Sequence, residues 1–264
     1  MTQLPQIVGI LNVTPDSFSD GGQNLAVDAA VRTGVRLAAE GAAWVDVGGE
    51  STRPGAPEVP VEEELRRVLP VVEGLVEAGV RVSIDTRKTP VAVAALAAGA
   101  DVVNDVGGLR APGMVDAVAE AGAGAVIMHM RGTPEDMQSR VVYDDVVADV
   151  RAFLAERLAA VRAVGVERVW LDPGIGFAKT VDQNLVLLRR IAELQDLGAP
   201  VYVGASRKSF IGAVTGAVDP LDRLGGSIGA AVAAALNGAS VLRVHDVAAT
   251  RQALEVMIAV QDAT

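Results

Sequence analysis

Short runs of Val, Ile and Leu recur along the chain, separated by longer stretches in which Ala, Leu and Val return every three or four positions among Arg and Glu. Runs of the first kind predict strands and the intervening stretches predict amphipathic helices; their regular alternation predicts βα units and a parallel sheet. Eight strands are expected, at 7–13, 44–48, 81–85, 102–106, 125–130, 169–172, 201–204 and 240–244. Helical spacing is clearest over 61–78, 144–164 and 181–197. Gly41, Gly79, Gly99, Gly122, Gly165, Gly198 and Gly238 each stand just before a strand, where a helix commonly ends on a left-handed residue. Eight such units without a long linker favour a closed (β/α)8 TIM barrel over an open doubly wound sheet. The 264 residues then form a single domain, close to the ~250 residues typical of such barrels.

Half of the residues are hydrophobic, so one large core is expected without metal or disulfide staples. There is no cysteine, which excludes thiolate chemistry and Cys-ligated zinc. No basic leader precedes the first strand and no run of ~18 apolar residues occurs, so neither a signal peptide nor a membrane span is expected, and a cytoplasmic location is. The net charge of −10, from 23 basic and 33 acidic residues, argues against a nucleic-acid partner. An anionic substrate would have to be held by local cations against that global charge. Only three of the basic residues are lysines, Lys88, Lys179 and Lys208, and each follows a predicted strand.

Polar residues gather at the expected C-terminal ends of the strands: Asn12; Asp46 and the GGESTRPG loop; Asp85; Asn104 with Asp105; His129; Asp172; Ser206-Arg207-Lys208; and Arg243 with His245. In a barrel these positions surround one mouth. Asp46 or Asp105 alone is equally well explained as a cap for the following helix. Capping does not account for a whole ring of carboxylates, amides and cations.

The segments GILNVTPDSFSDGG (9–22), DVGGESTRPGA (46–56), SIDTRK (83–88), Asn104-Asp105, MHM (128–130), LDPGIGFAK (171–179), GASRKSF (204–210) and RVHDV (243–247) occur in this order over nearly the full chain. In them the chain resembles the dihydropteroate synthase family of pterin-binding barrels. The first two segments and the SRKS segment are the most specific.

The resemblance implies a transferase of folate biosynthesis acting on a pterin methyl pyrophosphate and p-aminobenzoate. A pterin edge presents an N–H, a carbonyl and an amino group, which carboxylates and an amide can read. The family assigns that role to Asp85, Asn104, Asp172 and Lys208, and adds Thr52. It implies that Asn12 ligates Mg²⁺ and that Arg243 and His245 hold the pyrophosphate. Arg243 and His245 are two residues apart on the expected last strand, so their side chains should lie together at one depth, with Asn12 adjacent on the first strand. For p-aminobenzoate the STRPGA and SRKSF segments offer Thr52, Arg53, Pro54 and Ser206. The family implies Ser206 and a nearby helix N-terminus for the carboxylate, with Phe177 and Pro54 against the ring, while Phe18 and Asp20 match residues of a first loop, flexible through Gly21 and Gly22, that closes over the site. His129 is expected to support the site from behind. Ile175, Ala178 and Ala205 depart mildly from the family pattern. The family also implies a homodimer through barrel helices, with 228–236 as a candidate face that core packing explains equally well. A methyltetrahydrofolate:corrinoid methyltransferase would share the pterin reading but would not need the STRPGA, SRKS and RVH segments together. A catalytically silent pterin-binding paralogue would be expected to have lost some of these groups.

Overall fold

A computed structural model describes residues 3–13, 22–53 and 55–263. Its strands are β1 (Gln6–Asn12), β2 (Trp44–Gly48), β3 (Val82–Asp85), β4 (Val102–Asp105), β5 (Gly124–Met128), β6 (Val169–Asp172), β7 (Tyr202–Val203) and β8 (Val241–Val244). Between and after them lie α1 (Gly22–Ala39), α2 (Val61–Glu77), α3 (Thr89–Ala97), α4 (Met114–Glu120), α5 (Val146–Ala163), α6 (Val181–Arg189), α7 (Ala192–Gln195), α8 (Ser209–Thr215), α9 (Leu224–Leu236) and α10 (Val247–Gln261). The strands form one parallel sheet in the order β6-β5-β4-β3-β2-β1-β8-β7. A bridge between Leu171 and Val201 joins its two edges, and the Leu171 N–H donates to the Pro200 carbonyl at 3.0 Å. The expected eight-stranded barrel is thus observed, with its β6–β7 seam held by few bonds. Pro200 has no N–H to extend that ladder.

The helix over 144–164 begins two residues late because Asp145 caps it, accepting from the N–H groups of Val147 at 2.9 Å and Ala148 at 3.2 Å. The continuous helix expected over 181–197 is divided into α6 and α7. The Arg190 N–H is shared between the carbonyls of Val186 (3.0 Å) and Leu187 (3.2 Å), which tightens the turn, and a short second helix then buries Leu194. All seven glycines expected to end helices have positive φ, from 60° to 109°.

Strand periodicity sorts the barrel interior into levels. Val8, Trp44, Val102, Val126, Tyr202 and Val241 form one buried apolar cluster, completed by the Trp170 ring 5.3 Å from that of Trp44. Two residues further along six of the same strands stand Ile10, Asp46, Asn104, Met128, Gly204 and Arg243, and Asp172 follows Trp170 in the same way. The interior is therefore an apolar plug below a polar floor. A larger apolar layer packs the helices on the sheet. In it Leu75 of α2 is fully buried and lies where a Cβ on Gly34 of α1 would come within 2.5 Å of its Cδ2 atom. Leu75→Ala is expected to lower the unfolding free energy by roughly 2–5 kcal/mol, because neighbours fixed this closely cannot collapse into the space left; chemical denaturation measures it.

Candidate active site

The polar floor is organised by one guanidinium. Arg243 Nε donates to Asp46 Oδ2 at 2.6 Å, and Nη2 donates to Asp85 Oδ2 at 2.7 Å. Asp46 also accepts from Asn104 Nδ2 at 3.0 Å and from the Ser83 hydroxyl. Four strands, β2, β3, β4 and β8, are thereby joined across the barrel. Asp46, which the sequence left open between a cap and a site residue, is the fully buried hub of this cluster and caps nothing. Its sequence signals were its place at the C-terminal end of a strand and in the DVGGESTRPGA segment. Asp105, by contrast, serves its own loop, accepting from the N–H groups of Gly107 at 2.6 Å and Leu109 at 2.9 Å.

Asp172 ends β6 buried and accepts from the Gly174 N–H at 2.7 Å. Lys208 lies beyond β7 and directs its amine onto the β6–α6 loop. There it donates to the Ile175 carbonyl and stands 4.4 Å from the centroid of the Phe177 ring. Gly176 makes this crossing possible: its φ is 84°, and a Cβ there would meet the Lys208 stem at 2.9 Å. Behind the loop, Lys179 Nζ donates to His129 Nδ1 at 3.0 Å and to the Phe177 carbonyl at 2.9 Å, which places His129 in its expected supporting position.

Arg243 and His245 do not lie side by side as expected. β8 ends at Val244, and His245 turns toward the β7–α8 loop, where its Nδ1 is 3.0 Å from Ser206 Oγ, whereas Arg243 reaches inward. β8 ends at Val244 as expected, so His245 already lies beyond the strand, where the chain turns at Asp246 to enter α10. β1 does neighbour β8, with Val8 opposite Arg243. Asn12 is exposed at the end of β1, two residues beyond the level of His245. Thr52 and Arg53 lie on the β2–α2 loop, Thr52 partly buried and Arg53 exposed. Phe18, Asp20 and Pro54 fall outside the described residues, as does Gly21.

Burial and charge tune these groups. Burial pushes Asp85 up to about 7 against the pull of Arg243, with Asp46 adding to the rise. Asp172 is likewise raised by burial, opposed by Lys208, and burial brings Lys208 down to about 8. His245 falls to about 3 through burial and the surrounding cations Arg207, Arg243, Arg53 and Lys208, so its imidazole is neutral at pH 7. Arg243 is raised: burial alone would lower it, but Asp46 and Asp85 more than compensate.

Among the described residues, the non-glycine positions with positive φ, Leu109, Ala178 and Arg207, all lie on loops at this mouth. A left-handed residue with a side chain costs on the order of 1 kcal/mol and persists only where neighbours hold it. Arg207 is held on three sides. It forks onto Asp246 (2.8 and 3.2 Å), its N–H meets Ser227 Oγ at 2.9 Å, and its carbonyl accepts from Arg223 at 3.0 Å. The departure at Ala178 is thus a backbone matter rather than a lost functional group.

A parallel barrel whose mouth joins a carboxylate–amide floor to a cluster of cations defines a site for a flat polar heterocycle carrying an anionic group. Residues 8–245 match the family described as pterin binding enzyme, and the chain belongs to that family. The Escherichia coli dihydropteroate synthase is 46% identical over 256 residues, covering 96% of this chain and 90% of its own. The dihydropteroate synthase of Xanthomonas albilineans solved with 4-aminobenzoic acid superposes with a TM-score of 0.93 at 52% identity, over 100% of this chain and 95% of that one. A structure of the Xanthomonas albilineans enzyme with 7,8-dihydropteroate gives 0.90 at 49% identity, over 100% and 96%.

The Asp85 shift has a definite pH signature. An unfolded Asp titrates near 3.8 and the folded group near 7. Between those values the unfolded chain releases a proton that the folded chain keeps, so stability from this group falls as pH rises through the window and levels off above it. Asp85→Asn is expected to flatten that part of the melting-temperature profile, leaving the smaller share due to Asp105, which burial raises to about 6, and Asp172.

Proposed function

We propose that this chain condenses 6-hydroxymethyl-7,8-dihydropterin pyrophosphate with p-aminobenzoate, giving 7,8-dihydropteroate and pyrophosphate. The observation that carries this reading is the position of Arg243: its guanidinium is bonded to Asp85 and, through Asp46, linked to Asn104, while His245, two residues on, reaches Ser206 of the loop that also carries Lys208. That arrangement supports a pterin pocket beside a seat for the diphosphate.

Asp85, Asn104, Asp172 and Lys208, with Thr52, read the pterin edge. Asp85 and Asp172, both raised by burial, can present either a donor or an acceptor there. The arylamine nitrogen uses its lone pair to bond to the pterin methylene carbon as the carbon–oxygen bond breaks and pyrophosphate leaves with that bond's electrons. The nitrogen then loses a proton. An arylamine is neutral near pH 7, so no strong base is required, and the work falls on positioning and on leaving-group charge. Arg243, with His245 as a neutral donor, takes up that charge. The p-aminobenzoate ring lies against Phe177 and Pro54, its carboxylate served by Arg53 and Ser206, with Phe18 and Asp20 closing the first loop over it.

Asn12 is the residue for Mg²⁺. No group of three or more His, Asp or Glu side chains suited to a metal occurs among the described residues, and Asn12 offers one neutral oxygen at the exposed rim. That donor set fits an ion that brings its own water and phosphate ligands. When bound, Mg²⁺ neutralises diphosphate charge.

Arg243→Ala is expected to lower the rate of pyrophosphate release on the order of 10²–10³-fold, while Lys208→Ala loses pterin binding in calorimetry. Full activity in the Arg243 variant contradicts the leaving-group assignment.

The chain also forms a homodimer in this reading. Support comes from an apolar groove of about 330 Å³ between α6, α8 and α9, lined by Leu185, Leu188, Phe210, Ile211 and Val214 and by small residues of α9 including Ala230 and Ala233. Val218 and Leu221, in the segment between α8 and α9, and Leu236 at the end of α9 are exposed as well. A location in the cytoplasm accords with the absence, among the described residues, of any helix long and apolar enough to cross a membrane. Val214→Glu, at a 61% exposed position, is expected to shift the mass measured by light scattering from dimer to monomer.

A further inference from the structure

Lys88 and its carboxylate partners have no place in the reaction above, yet little of their side chains is exposed: 10% for Lys88, 7% for Glu50 and 1% for Glu64. The β2–α2 loop leaves the barrel at Gly49 and re-enters at Val61. Glu50, at one end, accepts from the Val59 N–H at the other end at 2.8 Å, so the segment carrying Thr52 and Arg53 is tied at its neck. The same carboxylate accepts from Arg87 Nε at 3.0 Å and from Lys88 Nζ, both on the loop after β3. Arg87 continues to Glu58 at 3.3 Å. Lys88 also donates to Glu64 of α2 at 2.6 Å, and Glu64 accepts from Thr86 at 2.7 Å. Arg67 of α2 donates to the Gly49 carbonyl at 2.9 Å.

We propose that Glu50 is a positioning residue for p-aminobenzoate use, fixing the neck of the loop that presents Arg53 to the substrate carboxylate. This rests on the functional reading above. Glu50 does not touch substrate in this scheme. Its side chain is 7% exposed, and both oxygens are taken by Val59, Arg87 and Lys88. A loop whose ends are joined and braced against a neighbouring strand end loses fewer conformations when it closes on a ligand. Cutting the brace leaves Arg53 present but more widely distributed, which weakens capture without changing the chemistry that follows. The pterin is held mainly by strand ends and by Lys208, with Thr52 its one contact on this loop, so its affinity depends far less on the neck.

Glu50→Gln keeps the size and the acceptor for Val59 but removes the charge that Arg87 and Lys88 address. The KM for p-aminobenzoate is expected to rise about tenfold, with kcat at saturation and the calorimetric affinity for the pterin pyrophosphate little changed, and Glu50→Asp is expected to restore part of the loss. If Glu50 works through Arg53, the combined Glu50→Gln, Arg53→Ala protein shows a KM increase smaller than the product of the single increases. An unchanged KM, equal losses for both substrates, or a strictly multiplicative double variant overturns the proposal. Should Glu50→Gln fail to fold, Arg87→Met, which removes only the outer brace, carries the same measurement. A wild-type protein that turns over normally while the Glu50 variant shows no KM effect sinks the loop assignment alone; a wild-type protein that releases no pyrophosphate sinks both readings.

Discussion

The mouth of this barrel depends on the ion cluster in which Arg243 lies between Asp46 and Asp85. Two carboxylates buried this close would repel each other and lose hydration with no return. A guanidinium supplies separate donors to each in a fixed fork, which an ammonium would not. Asn104 and Ser83 occupy further positions on Asp46, so the hub is satisfied by three neighbours from three strands. The cluster closes the top of the apolar plug and holds Asp85 at the height where a heterocycle would rest.

The cluster also explains how an acidic protein can receive an anion. Asp46 and Asp85 neutralise Arg243 on its inner side, while Arg207, Arg53 and Lys208 add positive charge around His245, whose proton is disfavoured first by burial and then by these cations. The imidazole is kept neutral by burial first and by the four surrounding cations second, so cations gather at this mouth despite the global charge of −10. Their charge is available to a diphosphate, and the neutral ring can still donate one hydrogen bond.

The three lysines divide the work at the mouth. Lys208 crosses to the β6–α6 loop and shares it with Lys179, one amine on the Ile175 carbonyl and the other on that of Phe177. Lys88 braces the β2–α2 loop instead. The left-handed residues Ala178 and Arg207 sit on loops that these amines or the Arg207–Asp246 fork hold in place. Rigid strands thus supply the floor, and ionic braces give the surrounding loops comparable definition.

Much of this was legible in the sequence because it depends on short-range rules. Alternating periodicities, glycines before strands and polar residues at strand ends are each set by local backbone geometry, and together they determined the barrel, its direction and which end carries the chemistry. Asp85, Asn104, Asp172 and Lys208 fell within the ring that such positions marked, and the family resemblance singled them out within it. What only the tertiary structure decided were choices made between elements far apart in the chain. Asp46 is the hub because Arg243, 197 residues away, reaches it; His245, just past the end of β8 at Val244, turns to Ser206 and away from Arg243. The helix over 181–197 divides where a carbonyl pair competes for one N–H. Which donor a buried carboxylate finds depends on the three-dimensional packing around it, and local pattern carries no record of that.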